Sequence, residues 1–190
     1  MRKIDTMRNR VRTYVLGSFF VGMVAAGVAV TPSAIAAPKE AVPGIAPAGT
    51  LTSGVIAEGS SNSTSGDSAA LAFGCTPGTG VDNPHRSSTG VAVSGHGWWT
   101  KGSCNNNTAR VTVCLYEYYT DGSWVLKTCS TNGNLSAGGG SAARVTARRD
   151  CETTELTSWR SHVDVDVNSE VDTAEVPYRQ ADVACRISAG

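Results

Sequence analysis

The chain has 190 residues, sixteen of them basic and sixteen acidic, with six cysteines and an aromatic content of only 6%. Five basic residues but only Asp5 among the acids fall in the first 36 positions, which leaves eleven basic against fifteen acidic residues beyond them. That acidic surplus speaks against nucleic acid as a partner, because phosphate binding relies on clustered Lys and Arg, and nothing favours a membrane surface.

Arg2, Lys3, Arg8, Arg10 and Arg12 precede an apolar stretch from about Tyr14 to Val30, and small residues follow around Ala34-Ile-Ala36-Ala37. Basic, then apolar, then an A-x-A site is the order of a secretory signal peptide, expected over residues 1–36. The apolar stretch is marginal for the span of about 20 residues that a membrane anchor needs. An exported chain with an even number of cysteines reads as three disulfides. No C-x-x-C spacing supports a zinc ribbon or a thioredoxin-like motif.

Residues 37–72 shift to Ala, Gly, Ser, Thr and Pro, with Pro38, Pro43 and Pro47 early and Gly59-Ser-Ser-Asn-Ser-Thr-Ser-Gly66 later. Such a stretch buries too little apolar surface to offset its ordering entropy, so it is expected as a disordered tail. It contains the apolar islands Leu51-Thr-Ser-Gly-Val55-Ile56 and Leu71-Ala-Phe73. One reading is a plain spacer. The other is a docking segment whose Leu51, Val55 and Ile56 add to a partner's sheet edge and order only when bound.

Residues 73–190 read as one disulfide-stapled domain. Strand signals recur at Gly90–Val93 leading into His96–Thr100, in a hairpin over 110–129, and at Ala142–Arg149, Ser161–Val167 and Gln180–Ile187. Turn clusters at 105–108 and 138–140 separate them. Six or seven short strands with polar turns predict an all-β fold, a small antiparallel β-sandwich or barrel.

Trp98 and Trp99 are adjacent, so on a strand they point to opposite faces, one buried and the other exposed or under a loop. An exposed Trp beside Tyr116 and Tyr118 makes a candidate partner-binding patch, because aromatic side chains dominate interface energetics. In the hairpin, a two-residue turn at Asp121-Gly122 opposes residues whose numbers sum to 243, and Cys114 and Cys129 satisfy that sum. Directly opposed residues lie within disulfide range, so these two are expected to be bridged. A bulge would shift the register by one. The same register places Val111, Val113, Leu115, Tyr119, Trp124 and Leu126 on the core face. Tyr116, Tyr118, Val125 and Lys127 fall on the other face, and Glu117 is expected to reach solvent near the turn.

Cys75, Cys104, Cys151 and Cys185 allow three connectivities. Cys75 with Cys185 and Cys104 with Cys151 is the pairing favoured here, since it ties the two ends of the domain together. His162, Asp164 and Asp166 share an outward face and form a candidate divalent-metal site. The competing reading is a solvated face paired with Arg144 and Arg148 of a neighbouring strand, and no metal is assigned.

No catalytic residues and no cofactor are assigned. Gly66-Asp67-Ser68 has the order found around a serine-protease nucleophile, but it falls in the tail, where no base or oxyanion donor is held in place. His85, His96 and His162 sit in no catalytic signature.

The motifs His96-Gly-Trp-Trp99, Tyr116-Glu-Tyr-Tyr-Thr-Asp-Gly-Ser-Trp124, Gly138-Gly-Gly140, Thr157-Ser-Trp-Arg160 and Val163-Asp-Val-Asp-Val167 resemble those of small exported actinobacterial proteins. Over roughly residues 74–187 the chain is similar to the adaptor subunits of umbrella toxin particles. The resemblance implies a non-enzymatic secreted β domain that binds a lectin-like subunit, and a leading segment that inserts into a large toxin polypeptide. The alternatives are a carbohydrate-binding module and a secreted protease inhibitor with a braced loop around Cys75-Thr-Pro-Gly78.

Overall fold

The computed structural model describes residues 40–57 and 74–187. The expected signal peptide, the Gly59–Gly66 run and the Leu71–Phe73 island lie outside them. Among the described residues there are nine strands: β1 (Ser53–Ala57), β2 (Gly78–Val81), β3 (His85–Arg86), β4 (Ala92–Thr100), β5 (Thr108–Tyr118), β6 (Trp124–Ser136), β7 (Val145–Asp150), β8 (Thr153–Val167) and β9 (Glu175–Arg186). They form two antiparallel sheets. One has the order β1-β9-β8-β5-β6. The other is centred on β4, with β7 along one edge and β2 and β3 in tandem along the opposite edge.

The period-two pattern explains how the sheets meet. Val111, Val113 and Leu115 of β5 and Trp159, Val163 and Val165 of β8 bury one face of the larger sheet against Val93 and Trp99 of β4 and Val145 and Ala147 of β7. At Gly97 the sheets approach so closely that a Cβ would lie 2.6 Å from Val113 Cγ2 and 2.7 Å from Val163 Cγ2. Only glycine fits there.

Cys114 and Cys129 are bridged, at a Cα–Cα distance of 4.1 Å. The turn that brings them together is not the tight one expected from the sequence. Tyr119 O accepts from Gly122 N at 2.9 Å, Tyr119 N donates to Ser123 O at 2.9 Å, and Gly122 has φ 91°, which is a three-residue loop closed by a glycine in the left-handed region. Near the turn the opposed residues are Tyr118 with Trp124, Glu117 with Val125 and Tyr116 with Leu126. The ladder then skips Lys127 and resumes with Leu115 opposite Thr128. Lys127 is a bulge, and its extra residue restores the register before the cysteines. Trp124 and Leu126 therefore leave the core face assigned to them, and Leu126 is 51% exposed.

The bulge also turns Lys127 inward. Its ammonium donates to Tyr119 Oη at 2.7 Å and lies 3.4 Å from Glu117 Oε2, an ion pair without hydrogen-bond geometry. Glu117 does not reach solvent as expected; it is 0% exposed. Its Oε1 accepts from Ile187 N at 3.0 Å and from Thr157 Oγ1 at 3.3 Å. Burial raises its pKa above the usual carboxylate range, and the Ile187 N–H and the Lys127 charge act against that rise.

The remaining disulfides are Cys75–Cys104 and Cys151–Cys185, which corrects the pairing favoured from the sequence. Chain ends do not decide it; strand neighbours do. Cys151 leads into β8 while Cys185 lies near the end of β9, and the antiparallel β8/β9 ladder brings these two positions side by side, with Glu152 N donating to Arg186 O at 3.0 Å. Cys75 enters β2 and Cys104 leaves β4, which are adjacent strands.

Residues 40–57, expected within the disordered tail, are part of this fold. The β5/β8 ladder ends at Glu117 opposite Trp159, and the next backbone groups are taken up by the arm. Gly44 N donates to Tyr118 O at 2.9 Å and Gly44 O accepts from Ser158 N at 3.0 Å, while Ala46 N donates to Ser158 Oγ at 2.9 Å. The arm then runs as β1 along the edge of β9. Composition misread it because backbone hydrogen bonds, rather than buried apolar area, place this segment.

Candidate functional site

The face of the larger sheet turned away from the second sheet carries a ladder of rings. Arg160 sits with its guanidinium 4.1 Å from the Trp124 ring centroid and 4.4 Å from that of Tyr178, and its Nε donates to Gln180 Oε1 at 3.1 Å. The next residue outward on β8, His162, lies 4.4 Å from Tyr116 and 5.5 Å from Tyr178 by ring centroids. Stacking removes these groups from water, and Arg160 is only 5% exposed. His162 Nε2 is buried without a hydrogen-bond partner. Burial first, and then the Arg160 charge, push its pKa down to about 4, so the ring is neutral at neutral pH.

This arrangement does not bring the candidate metal ligands His162, Asp164 and Asp166 together as an open site. His162 is enclosed by rings, and Asp166 pairs with Arg110 at 2.8 Å. Arg144 and Arg148 do not partner this face either. Arg144 directly precedes β7 and Arg148 lies within it, and β7 pairs with β4 in the other sheet.

The seven residues expected to face a partner separate by burial into three groups. Trp99 is fully buried, its Nε1 donating to Leu135 O at 2.9 Å, and Tyr118 is buried edge-on against Trp124. Neither offers a contact surface, because Trp99 faces the opposing sheet and the Tyr118 ring is buried against Trp124. Trp98 is half-buried beneath the Arg144 guanidinium, 4.8 Å from its ring, with Gly80 and Gly139 packed against it. Tyr116 is half-buried against His162. On the arm, Ile56 is half-buried, whereas Leu51 and Val55 are 59% and 56% exposed. Val42 and Ile45 are exposed on the same arm. The braced loop at Cys75-Thr-Pro-Gly78 does not project: Pro77 is buried, and Thr76 accepts from Ser103 N and donates to Ser103 Oγ.

The arm also leaves an open sheet edge that sequence reasoning missed, because its direction depends on register. Gln180 N donates to Thr52 O at 2.7 Å, so 52/180 is a hydrogen-bonded pair, and so by alternation are 54/178 and 56/176. Ser53 and Val55 therefore point their N–H and C=O groups away from β9. Pro177, which has no N–H to donate, stands opposite Val55. β1 has no strand on its far side among the described residues. No protein-family model, curated protein or solved structure matches this chain.

Proposed function

We propose that the protein is a non-enzymatic protein-binding module that works outside the cell, and that it docks a partner by strand addition to the open edge of β1. The observation that carries this reading is the pairing of outward-facing backbone groups at Ser53 and Val55 with the exposed side chains of Leu51 and Val55. Main-chain hydrogen bonds supply affinity in such docking, and alternate side chains supply specificity. An uncovered edge of this kind is a liability unless something covers it. Three disulfides with no free cysteine among the described residues are consistent with an oxidising, extracellular location. No described helix is long and apolar enough to cross a membrane.

The resemblance to umbrella toxin adaptors extends this proposal to an adaptor role in an extracellular particle. The partners would be a large toxin polypeptide and a lectin-like subunit. Trp98 lies under Arg144 and Trp99 in the core, so neither is the openly exposed Trp that would favour the carbohydrate-binding alternative.

The test is a single substitution. Val55→Pro removes an N–H that points to solvent, so the bonds between β1 and β9 remain while the outer edge loses a donor. Partners are captured from culture supernatant with the wild-type and Val55→Pro proteins, and amide exchange is followed at Ser53 and Val55. Loss of the partner by Val55→Pro at unchanged melting temperature, with slowed exchange of those amides in the wild-type complex, is expected. Full retention of the partner, or amides that stay fast-exchanging in the complex, would refute edge docking.

A further inference from the structure

The edge of β4 that carries β2 and β3 holds a second arrangement, remote in role from the β1 edge. β2 ends with Val81 opposite Gly97, and β3 begins with His85 opposite Ser94. The short link Asp82-Asn-Pro84 between them thus passes alongside His96. Asp82 uses both carboxylate oxygens on that one residue: Oδ1 accepts from His96 N at 2.6 Å and Oδ2 accepts from His96 Nδ1 at 2.7 Å. The His85 ring stacks on that of His96 at a centroid separation of 5.1 Å, with its own Nδ1 2.9 Å from Asn83 O.

Both Nδ1 atoms face oxygens that only accept, a carboxylate and a backbone carbonyl. Each Nδ1 must therefore carry the proton, and in the neutral rings each Nε2 is left with its lone pair. No described residue hydrogen-bonds to either Nε2. An imidazole whose rear nitrogen is tied to a carboxylate or carbonyl, with the front nitrogen unoccupied, has the outer-shell support typical of metal-ligating histidine. Here two such rings stand side by side. One ligand atom from each of Asp82, His85 and His96 lies within 4.8 Å of the others. Tetrahedral zinc with bonds of about 2.0 to 2.1 Å to nitrogen places its ligands roughly 3.3 Å apart. His85 is exposed on a two-residue strand, so its side chain has room to adjust toward that spacing.

We propose that His85 and His96 bind a divalent transition-metal ion of the zinc class through their Nε2 atoms, with Asp82 positioning His96 and water completing the shell. Imidazole donors select Zn(II), Co(II), Ni(II) or Cu(II) over Ca(II) and Mg(II), which need oxygen-rich sites. A simple structural staple, in which Asp82 only anchors the β2–β3 link and His85 only stacks, predicts no uptake.

Full-length protein lacking any polyhistidine tag is titrated with Zn(II) by calorimetry and with Co(II) by visible absorption. One equivalent is expected for the wild type, with a Co(II) spectrum showing nitrogen ligation. His85→Ala and His96→Ala should each weaken binding at least tenfold. Asp82→Asn should weaken it about tenfold while keeping the Co(II) spectrum, as an outer-shell partner does. His162→Phe should bind as the wild type. Absence of stoichiometric uptake would overturn the site, as would undiminished uptake by His85→Ala, which lies at the surface and keeps the fold testable by near-ultraviolet circular dichroism.

Discussion

Substitution of His162 by Phe gives a direct reading of the ring ladder. In the folded protein this imidazole has its pKa pushed down from 6.5 to about 4, first by burial between Tyr116 and Tyr178 and then by the Arg160 charge. In the unfolded chain it titrates near 6.5. Between these two values the unfolded state holds a proton that the folded state refuses, so this residue lowers stability progressively as pH falls from about 6.5 to about 4. Above that window it contributes no pH dependence, and below it the loss is complete. A gap of about 2.5 pH units corresponds to about 3 kcal/mol in total, of which about 2 kcal/mol develops between roughly pH 7 and pH 4.5. His162→Phe keeps a ring in the stack and removes the nitrogen that must shed the proton. Urea unfolding of both proteins, disulfides intact, at several values from about pH 4.5 to about pH 7.5, measures the difference. The variant should lose less stability on acidification by about 2 kcal/mol, the carboxylate contributions being common to both. Parallel profiles would show that His162 takes up its proton in the folded state, and would refute the enclosed-ring description.

Lys127→Met leaves Glu117 buried beside an apolar side chain and should destabilise by about 3 kcal/mol, whereas adding Glu117→Gln should recover most of that loss in a double-mutant cycle followed by chemical unfolding. Gly97→Ala drives a methyl group into Val113 and Val163 and should cost about 2 kcal/mol, while Gly133→Ala, which meets open space, should change stability by less than about 0.5 kcal/mol.

Much of this architecture was legible from local patterns. The alternation of Val163, Val165 and Val167, and of Val145 and Ala147, marks core faces in the sequence, because a buried sheet face repeats every second residue. The Cys114–Cys129 bridge was also legible, although for an incomplete reason: Asp121-Gly122 signals a hairpin without fixing its loop length. Relations between distant strands were not legible. The β8/β9 ladder that joins Cys151 to Cys185, and the placement of β7 on β4 rather than beside β8, are tertiary choices. Among the candidate residues, Leu51 and Val55 are open on the arm, but which of their backbone groups face outward follows from the register with β9. The Asp82, His85 and His96 cluster depends on β2 and β3 sharing one edge of β4, and no sequence spacing announces that.

The disulfide of the central hairpin is blind to the state of its tip. Cys114 and Cys129 stay opposed whether the strands close in a tight turn without a bulge or in the wider loop with Lys127 set aside. Between these two frames the last rungs slide by one place, exchanging which of Trp124 and Val125 looks toward the core. In the observed wider frame Lys127 meets Glu117 and Trp124 lies on Arg160. These two contacts, unlike the covalent bond, depend on the order in which the tip presents its side chains.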